Sequence, residues 1–495
     1  MLDLGQLDTT YLYGHIKLFK SNKTMKANHK TQAGKYYNLL AITTTILLLV
    51  TNAITIKAEA VYEFQNATSV VTTPANKVYV TGYKNLFGTN TEIVTQVYTN
   101  KGTLINEVVN KNNNAELHND QPYKVLADAN NNIYVCGHEF IDDLFGYEVV
   151  LIKYDENLNQ LWKMVLYTSE HYADEARGIA IDGLGNICIT GIQRHFENFS
   201  KVFLYKINPA GEVVYYSNLP NDFDNKIEMV NNLIADKDGN VIICGTASNP
   251  LRATRFFTAK FDVAGALKWK RFNDCTTEKF NDEAFALSFD KWGNILVAGS
   301  SEISFDNAVP MVVKYNPDGI LTWCKTLPSE TSGRAGAWEL LSDKQGNIFV
   351  VSFFNSAKFI NDHFYAYKLN SFGTQQWMRS LPGVFNHTTL VADSLLFIAG
   401  SNATNEATLT IISTLHGIKK GVYNKSEIHG DSKSTRFSTY QSMTYNAETN
   451  TIVLCGKTEN CGQMNYCESN WLVSFYPQDM EFSGNLNLKI SETKN

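Results

Sequence analysis

Short apolar runs bounded by turn residues recur along this chain. Val241-Ile-Ile, Ile295-Leu-Val and Ile348-Phe-Val each follow directly on a Gly-Asn pair. Each is too short for a buried helix, and its length, β-branching and flanking turn residues predict a strand buried on both faces. The residues ahead of each run, Asp-x-x-Gly-Asn, predict a hairpin. Aspartate accepts a hydrogen bond from the backbone two residues on, and glycine takes positive φ without a Cβ clash. The same stretch recurs at 128–137, 182–191, 236–245, 290–299 and 343–352.

The position that ends the apolar run falls at Gly82, Gly137, Gly191, Gly245, Gly299, Ser352, Gly400 and Gly456, mostly 53 to 56 residues apart. A second series keeps step with it. Lys153, Lys206, Lys260, Lys314 and Lys368 each precede an apolar or aromatic residue and then Asp or Asn. Gly211, Gly265, Gly319 and Gly373 follow, and four residues later come Tyr215, Trp269, Trp323 and Trp377. Trp162 keeps that register where Leu158 replaces the glycine. In the fourth unit this pattern predicts strands at 229–235, 240–244, 256–261 and 267–272.

Four short antiparallel strands per repeat predict an all-β fold, a single β-propeller of four-stranded blades over 61–495. Eight blades are expected. Seven are the alternative if the short seventh unit is not an independent blade. Units one, seven and eight lack the late tryptophan, as terminal repeats commonly depart from the pattern. Either 61–65 or 481–490 could supply the outer strand of the last blade.

The combined pattern, Asp-x-x-Gly-Asn and then Lys-aromatic-Asp/Asn-x-x-Gly-x-x-x-Trp, resembles the bacterial β-propeller repeat family of exported and surface proteins. The resemblance covers units two to six well and implies the fold while leaving activity open, because propellers host binding, scaffolding and catalysis. A partial likeness to quinoprotein dehydrogenase propellers lies in Gly-x-x-x-Trp. Their Ala-x-Asp and Thr-Gly ahead of the Trp are missing, so no quinone cofactor is expected.

Composition adds a compartment. The 495 residues are 44% hydrophobic and 19% charged, with 25 Tyr and 28 Phe, enough for a large β-rich core. The net charge of −6 comes with no basic domain, so nucleic acid is not an expected partner. Residues 38–56 form a membrane-grade apolar run. Lys20, Lys23, Lys26, Lys30 and Lys35 precede it, and Ala58-Glu59-Ala60 follows as a small-x-small cleavage site. Residues 1–37 thus read as a basic N-terminal segment, with Met25 an alternative start. Residues 38–60 read as a signal peptide or, if uncleaved, a signal anchor. Either way the propeller lies outside the cytoplasm, whether secreted, periplasmic or at the cell surface. Only the anchor reading attaches it to a membrane.

Cys136, Cys244 and Cys455 share one repeat position, and Cys188 lies in the corresponding strand, so these four read as small buried hydrophobes. Cys461 and Cys467 flank a polar loop and form the disulfide candidate in an oxidising compartment.

Candidate chemistry gathers at one end of the blades. Eight residues before the turn Asp stand Asp120, Asp174, Glu228 and Asp282 in four consecutive units. At the mouth of a central channel, converging carboxylates could hold a hard cation such as Ca²⁺. Alternatively, each acid braces its own loop by accepting backbone N–H bonds. Arg194, His195, Arg252 and Arg255, on adjacent loops between strands two and three, make a basic rim suited to a carboxylate, phosphate or glycan. The chain has no His-Glu-x-x-His, Gly-x-Ser-x-Gly, Gly-x-x-x-x-Gly-Lys or Cys-x-x-Cys. The expectation is a monomeric, non-catalytic binding or interaction protein of the cell envelope or exterior, with a protein or glycan ligand and no cofactor beyond Ca²⁺. The alternative is an extracytoplasmic hydrolase or lyase with an acidic, divalent-ion-dependent site at the channel mouth.

Overall fold

One Asp or Asn side chain closes each regular hairpin in the computed structural model. Asp236 Oδ1 accepts from the backbone N–H of Asp238 and Asn240 at 3.0 and 2.8 Å, and Asn240 Nδ2 donates to Oδ2 at 2.8 Å. Gly239 sits at φ +83 to allow it. The same loop closes at Asp128, Asp182, Asp290 and Asp343. Asp155, Asn208, Asp262, Asn316 and Asn370 repeat it in the second hairpin. In the hairpin at Asp155, Leu158 takes the positive-φ position at φ 65.

The described residues run from 66 to 492, leaving out 86–89, 101, 113–118, 143–145, 168–173, 194–200, 220–225, 249–253, 273–280, 306, 330–332, 356–362, 393, 403–406, 425–436, 447–450, 461–466 and 476–487. The leader calls on residues 1–60 and the disulfide candidate Cys461 therefore lie outside them, as does the side chain of Cys467.

The strands follow one another in hairpin order. The first sheet holds β1 (Asn66–Thr72), β2 (Lys77–Asn85), β3 (Thr91–Thr99) and β4 (Leu104–Asn110). The second holds β5 (Gln121–Ala127), β6 (Ile133–Asp142), β7 (Gly146–Tyr154) and β8 (Gln160–Leu166). Next come β9 (Asp174–Ile181), β10 (Ile187–Gln193), β11 (Lys201–Ile207) and β12 (Val213–Leu219). The fourth sheet contains β13 (Lys226–Ala235), β14 (Val241–Ser248), β15 (Thr254–Phe261) and β16 (Leu267–Phe272). A larger sheet takes β17 (Asp282–Phe289), β18 (Ile295–Ser304), β19 (Asn307–Tyr315) and β20 (Leu321–Thr326). It also takes β21 (Arg334–Ser342), β22 (Ile348–Asn355), β23 (His363–Leu369) and β24 (Gln375–Pro382). β25 (Val384–Ala392), β26 (Leu395–Ser401), β27 (Ala407–Ser413) and β28 (Lys419–Asn424) follow. The last sheet has β29 (Phe437–Asn446), β30 (Thr451–Asn460), β31 (Cys467–Phe475) and β32 (Leu488–Glu492).

The first strands of these units pack side by side in chain order, from β1 against β5 through to β25 against β29, and β1 returns to β29. At that junction Asn446 Nδ2 donates to Thr73 O at 3.3 Å. The ring closes, and β32 shows that the last sheet takes its outer strand from the C-terminal end rather than from 61–65.

The expected count of eight blades is overturned, and so is the seven-blade alternative. Among the described residues the strands form seven sheets, six of four strands and one of eight. In the eight-stranded sheet β20 pairs β19 from Met311 onward. The start of β19 stays open, and the next unit fills it in parallel, Ala308 N donating to Gly333 O at 3.1 Å. The seventh unit, expected to fail in the alternative, is a complete four-stranded sheet of its own. Only five four-strand units, β5 to β24, are built on the full Lys and Trp or Tyr repeat.

The recurring glycine of the second strand has a steric cause. Each first strand carries a bulge that pushes a carbonyl onto the glycine, as between Ala284 and Ala286 opposite Gly299. A Cβ at Gly191, Gly245 or Gly299 would lie 2.1, 2.0 or 1.9 Å from the carbonyl oxygen of Glu175, Met229 or Glu283.

Apolar contact lies between the sheets. Cys188, Val202 and Leu204 of one unit share a core with Val230, Ile243 and Phe257 of the next. Cys136, Cys188, Cys244 and Cys455 are buried free thiols in these layers, as their repeat positions imply. At the outer edge a late aromatic ring lies under a turn of the following unit. Trp269 is 7% exposed, its Nε1 donates to Pro317 O at 3.2 Å, and a Cβ at Gly319 would lie 2.5 Å from its ring. Trp162, Trp323 and Trp377 repeat this arrangement. Tyr215 keeps the ring contact with Gly265.

Two glycines separate steric from conformational cost. At Gly293 a Cβ meets nothing within 4 Å but φ is +80, so Gly293→Ala should cost about 1 kcal/mol. Gly299→Ala drives a carbon into backbone and should cost about 3 kcal/mol or more in urea unfolding. Equal losses would refute the bulge account.

Candidate functional site

The first strand, the end of the second and the start of the third bring the predicted acids to one end of the ring. Asp120 is fully buried just ahead of β5. Its carboxylate accepts from Phe140 N at 2.8 Å and Asn112 Nδ2 at 3.1 Å, while its own N–H bonds Thr91 O in the neighbouring sheet. Asp174 and Asp282 open β9 and β17, pair with Gln193 and Ser301, and are 2% and 3% exposed. These three hold equivalent places, two residues past the glycine of the adjacent strand.

Glu228 does not. β13 carries an extra bulge between Ile227 and Met229, so Ile227 pairs with Ala247 and takes the place that Asp174 and Asp282 hold elsewhere. Counting back from Asp236 misses the inserted residue. Glu228 has no ladder partner, and its side chain lies outside the described residues. Arg194, His195 and Arg252 lie outside them as well. Arg255 sits in β15 opposite Ala247, half-buried.

An acid that sequence reasoning passed over joins this end. Glu148, near the start of β7, is fully buried, and its carboxyl faces Asp174 across the gap between sheets. Burial raises its pKa, and the charge of Asp174 and a hydrogen bond to it raise it further. That raised pKa favours a proton shared within the Glu148–Asp174 pair. Its cross-strand neighbour Glu139, also buried, pairs instead with Lys163 at 2.5 Å. Among the described residues no group of three or more His, Cys, Asp or Glu is placed to hold a metal ion.

Deeper in the ring lies a second set of side chains. Five residues before the turn aspartate stand Tyr123, Arg177, Asn231, Phe285 and Trp338, each at a bulge of its first strand. Bulges re-aim side chains, and here several reach the next first strand, as where Asn231 Nδ2 donates to Ala284 O at 2.6 Å. Phe285 and Trp338 stack with centroids 4.6 Å apart, and Phe353 meets Trp338 edge-on at 5.4 Å. Tyr123 OH donates to Arg177 O at 2.5 Å, and Arg177 Nη2 pairs with Glu175 at 2.9 Å.

Lys124 and Glu339 follow Tyr123 and Trp338. β5 packs between β1 and β9, and β21 between β17 and β25, so these two residues stand on separate parts of the ring. Burial pushes Glu339 up to about 8, with Lys124 pulling the other way. Burial likewise lowers Lys124, with Glu339 opposing. The fixed offset from the turn was visible in the sequence, but which residues bulge was not.

In three dimensions the chain is similar to the C-terminal WD40 domain of Sif2, with a TM-score of 0.50 and 11% identity over 80% of this chain and 96% of that one. The chain folds as a β-propeller. Puromycin hydrolase gives a TM-score of 0.47 at 10% identity over 81% of this chain and 61% of that one. A polysaccharide lyase bound to an ulvan fragment gives 0.42 at 9% over 73% and 94%. At these identities the likeness shows the fold alone. No protein-family model and no curated protein matches the chain in sequence. Among the described residues, no helix is long and apolar enough to cross a membrane.

The Glu148–Asp174 pair makes stability depend on pH with a definite sign. Glu148 binds its proton more tightly folded than unfolded, so its contribution is complete below the ordinary carboxyl pKa and is lost as pH rises toward the raised one. Glu148→Gln keeps the donor without the ionisation. Its melting temperature should overtake that of the unsubstituted protein as pH rises, by the equivalent of roughly 1–3 kcal/mol at alkaline pH. Parallel melting curves across pH would contradict the shared proton.

Proposed function

We propose that this chain is an exported, non-catalytic binding propeller of the cell envelope or exterior, with its ligand site in and around the central channel. The observation that carries the reading is a contrast within the repeat. Turn aspartates, strand-ending glycines and outer tryptophans recur nearly unchanged. The channel position five residues before each turn changes from Tyr123 to Arg177, Asn231, Phe285 and Trp338. A framework position must do the same work in every unit, whereas a ligand presents different chemistry to each.

The acids at the mouth fit bracing better than catalysis. Asp120 spends its carboxylate on a backbone N–H and an asparagine amide of its own unit. In the Glu148–Asp174 pair, burial and the facing charge favour one shared proton. Export rests on the basic segment, the apolar run and Ala58-Glu59-Ala60. Cys324, which sequence reasoning left aside, is disulfide-bonded, and such bonds persist in oxidising compartments.

Dithiothreitol should lower the unfolding free energy by about 2–4 kcal/mol. An unchanged melting temperature would remove that support for export. The functional test is a thermal-shift screen of glycans, peptides and small metabolites, with and without Ca²⁺ or chelator. The proposal expects a ligand that raises the melting temperature, survives chelation and is recovered unaltered. A ligand consumed during the assay, or a shift abolished by chelator, would favour an acidic hydrolase or lyase instead.

A further inference from the structure

One outer strand departs from the other seven. We infer that β12 is a docking edge for a second copy of this chain, the two β12 strands pairing antiparallel about a two-fold axis. The contact lies at the outer rim and uses none of the residues at the first-strand bulges.

β12 ends its sheet, with β11 on one side. Such an edge offers a row of backbone N–H and C=O groups to another strand, and proteins blunt it with charged side chains, lysine above all. Seven of the eight outer strands carry at least one charged residue, from Glu107 in β4 and Lys163 in β8 to Lys268, Lys270 and Arg271 in β16. β12, Val213-Val-Tyr-Tyr-Ser-Asn-Leu219, carries none. Val213, Val214 and Tyr216 are 48%, 49% and 39% exposed. The strand is also held in place. The Tyr215 ring lies against Gly265 of the following unit, and Ser217 Oγ donates to Gly265 O at 3.1 Å. Tyr216 packs on the buried Tyr205 with ring centroids 4.6 Å apart. An edge fixed before pairing loses little entropy when it pairs.

The missing charge also selects the occupant. When two copies of one edge pair about a two-fold axis, each residue meets another from the same strand. In six of the other seven outer strands all charges have one sign, so self-pairing would bring like charges together, which is destabilising. β12 sets only valine, tyrosine, serine, asparagine and leucine against one another. Its bulge at Val214, between the pairs Ile207–Val213 and Lys206–Tyr215, leaves Tyr215 to Leu219 as the regular run. A run this short buries less than the roughly 1,200 Å² of a standard interface, so the monomer expected from the sequence persists at low concentration and the dimer forms as concentration rises.

The experiment is analytical ultracentrifugation of the full chain from about 1 to 300 μM, a span that covers weak association. The expected result is a reversible monomer–dimer equilibrium that stops at two copies, since a two-fold pair leaves no β12 edge open. Val214→Lys and Tyr216→Lys each enter the contact twice and should weaken the dimer roughly tenfold or more. Leu321→Lys, at the place in β20 that Val213 holds in β12, should leave the dimer unchanged. The Val214 variant keeps the test decisive if Tyr216→Lys fails to fold. A monomer across the whole range overturns the inference. Association that survives both β12 substitutions, or that grows beyond two copies, overturns it too. Binding of an uncharged Val-Thr repeat peptide by a chain that stays monomeric would assign the edge to a foreign strand instead.

Discussion

Everything in this fold hangs on the joint between one unit and the next. A sheet of four short strands cannot bury both faces alone, and the joint is where the second face is covered. Its outer part is an aromatic ring laid against the glycine of the following hairpin, with an indole N–H on a turn carbonyl. Its inner part is a buried lysine. Lys206 reaches its own turn at Asp182 Oδ2, 2.8 Å away, and the next turn at Gly239 O, 2.6 Å away. Burial alone would raise Asp182, but bonds from Lys206 and Asn186 outweigh it and hold the carboxyl below its usual range. Lys314 does the same between Asp290 and Ser371. Removing one member of such a pair would strand a buried charge, at a cost of about 3–5 kcal/mol.

That joint explains why the repeat was so legible. Turn aspartates, positive-φ glycines and late tryptophans serve backbone geometry and contact between adjacent units, and those demands are the same in every copy. Hairpin order and the buried role of four cysteines therefore followed from residue types and spacing, whereas the second strands run past the glycine expected to end them, β14 to Ser248 and β18 to Ser304. Illegible features depended on where the spacing breaks. The extra bulge at Glu228 leaves no mark in the residues around it, because Ile227 is as good a strand residue as Met229. The merging of two units into one sheet rests on a single bridge at Ala308 and Arg334, which no periodicity reports.

The mouth acids share a place but not their surroundings. Asp120, Asp174 and Asp282 are all buried, and the carboxylate of Asp120 accepts from the backbone N–H of Phe140 at the end of the second strand. Glu148 was overlooked, although the first unit carries Glu92 at the same register position, also buried. What sets Glu148 apart is Asp174 facing it, whose charge adds to burial in raising its pKa.

A closed ring of near-identical units poses a problem for recognition, since symmetry offers every ligand the same wall many times over. The bulge in each first strand resolves it. It inserts a residue that pairs with nothing in the ladder, so its identity is released from the sheet's demands. Tyr123, Arg177, Asn231, Phe285 and Trp338 occupy that released position in successive units. The glycine that accommodates the bulge and the varied residue that the bulge presents are two sides of one device. The first stays small, glycine in four of these units and Ser352 opposite the bulge at Trp338, while the second varies, which places the capacity for specificity at the bulges rather than along the outer joints.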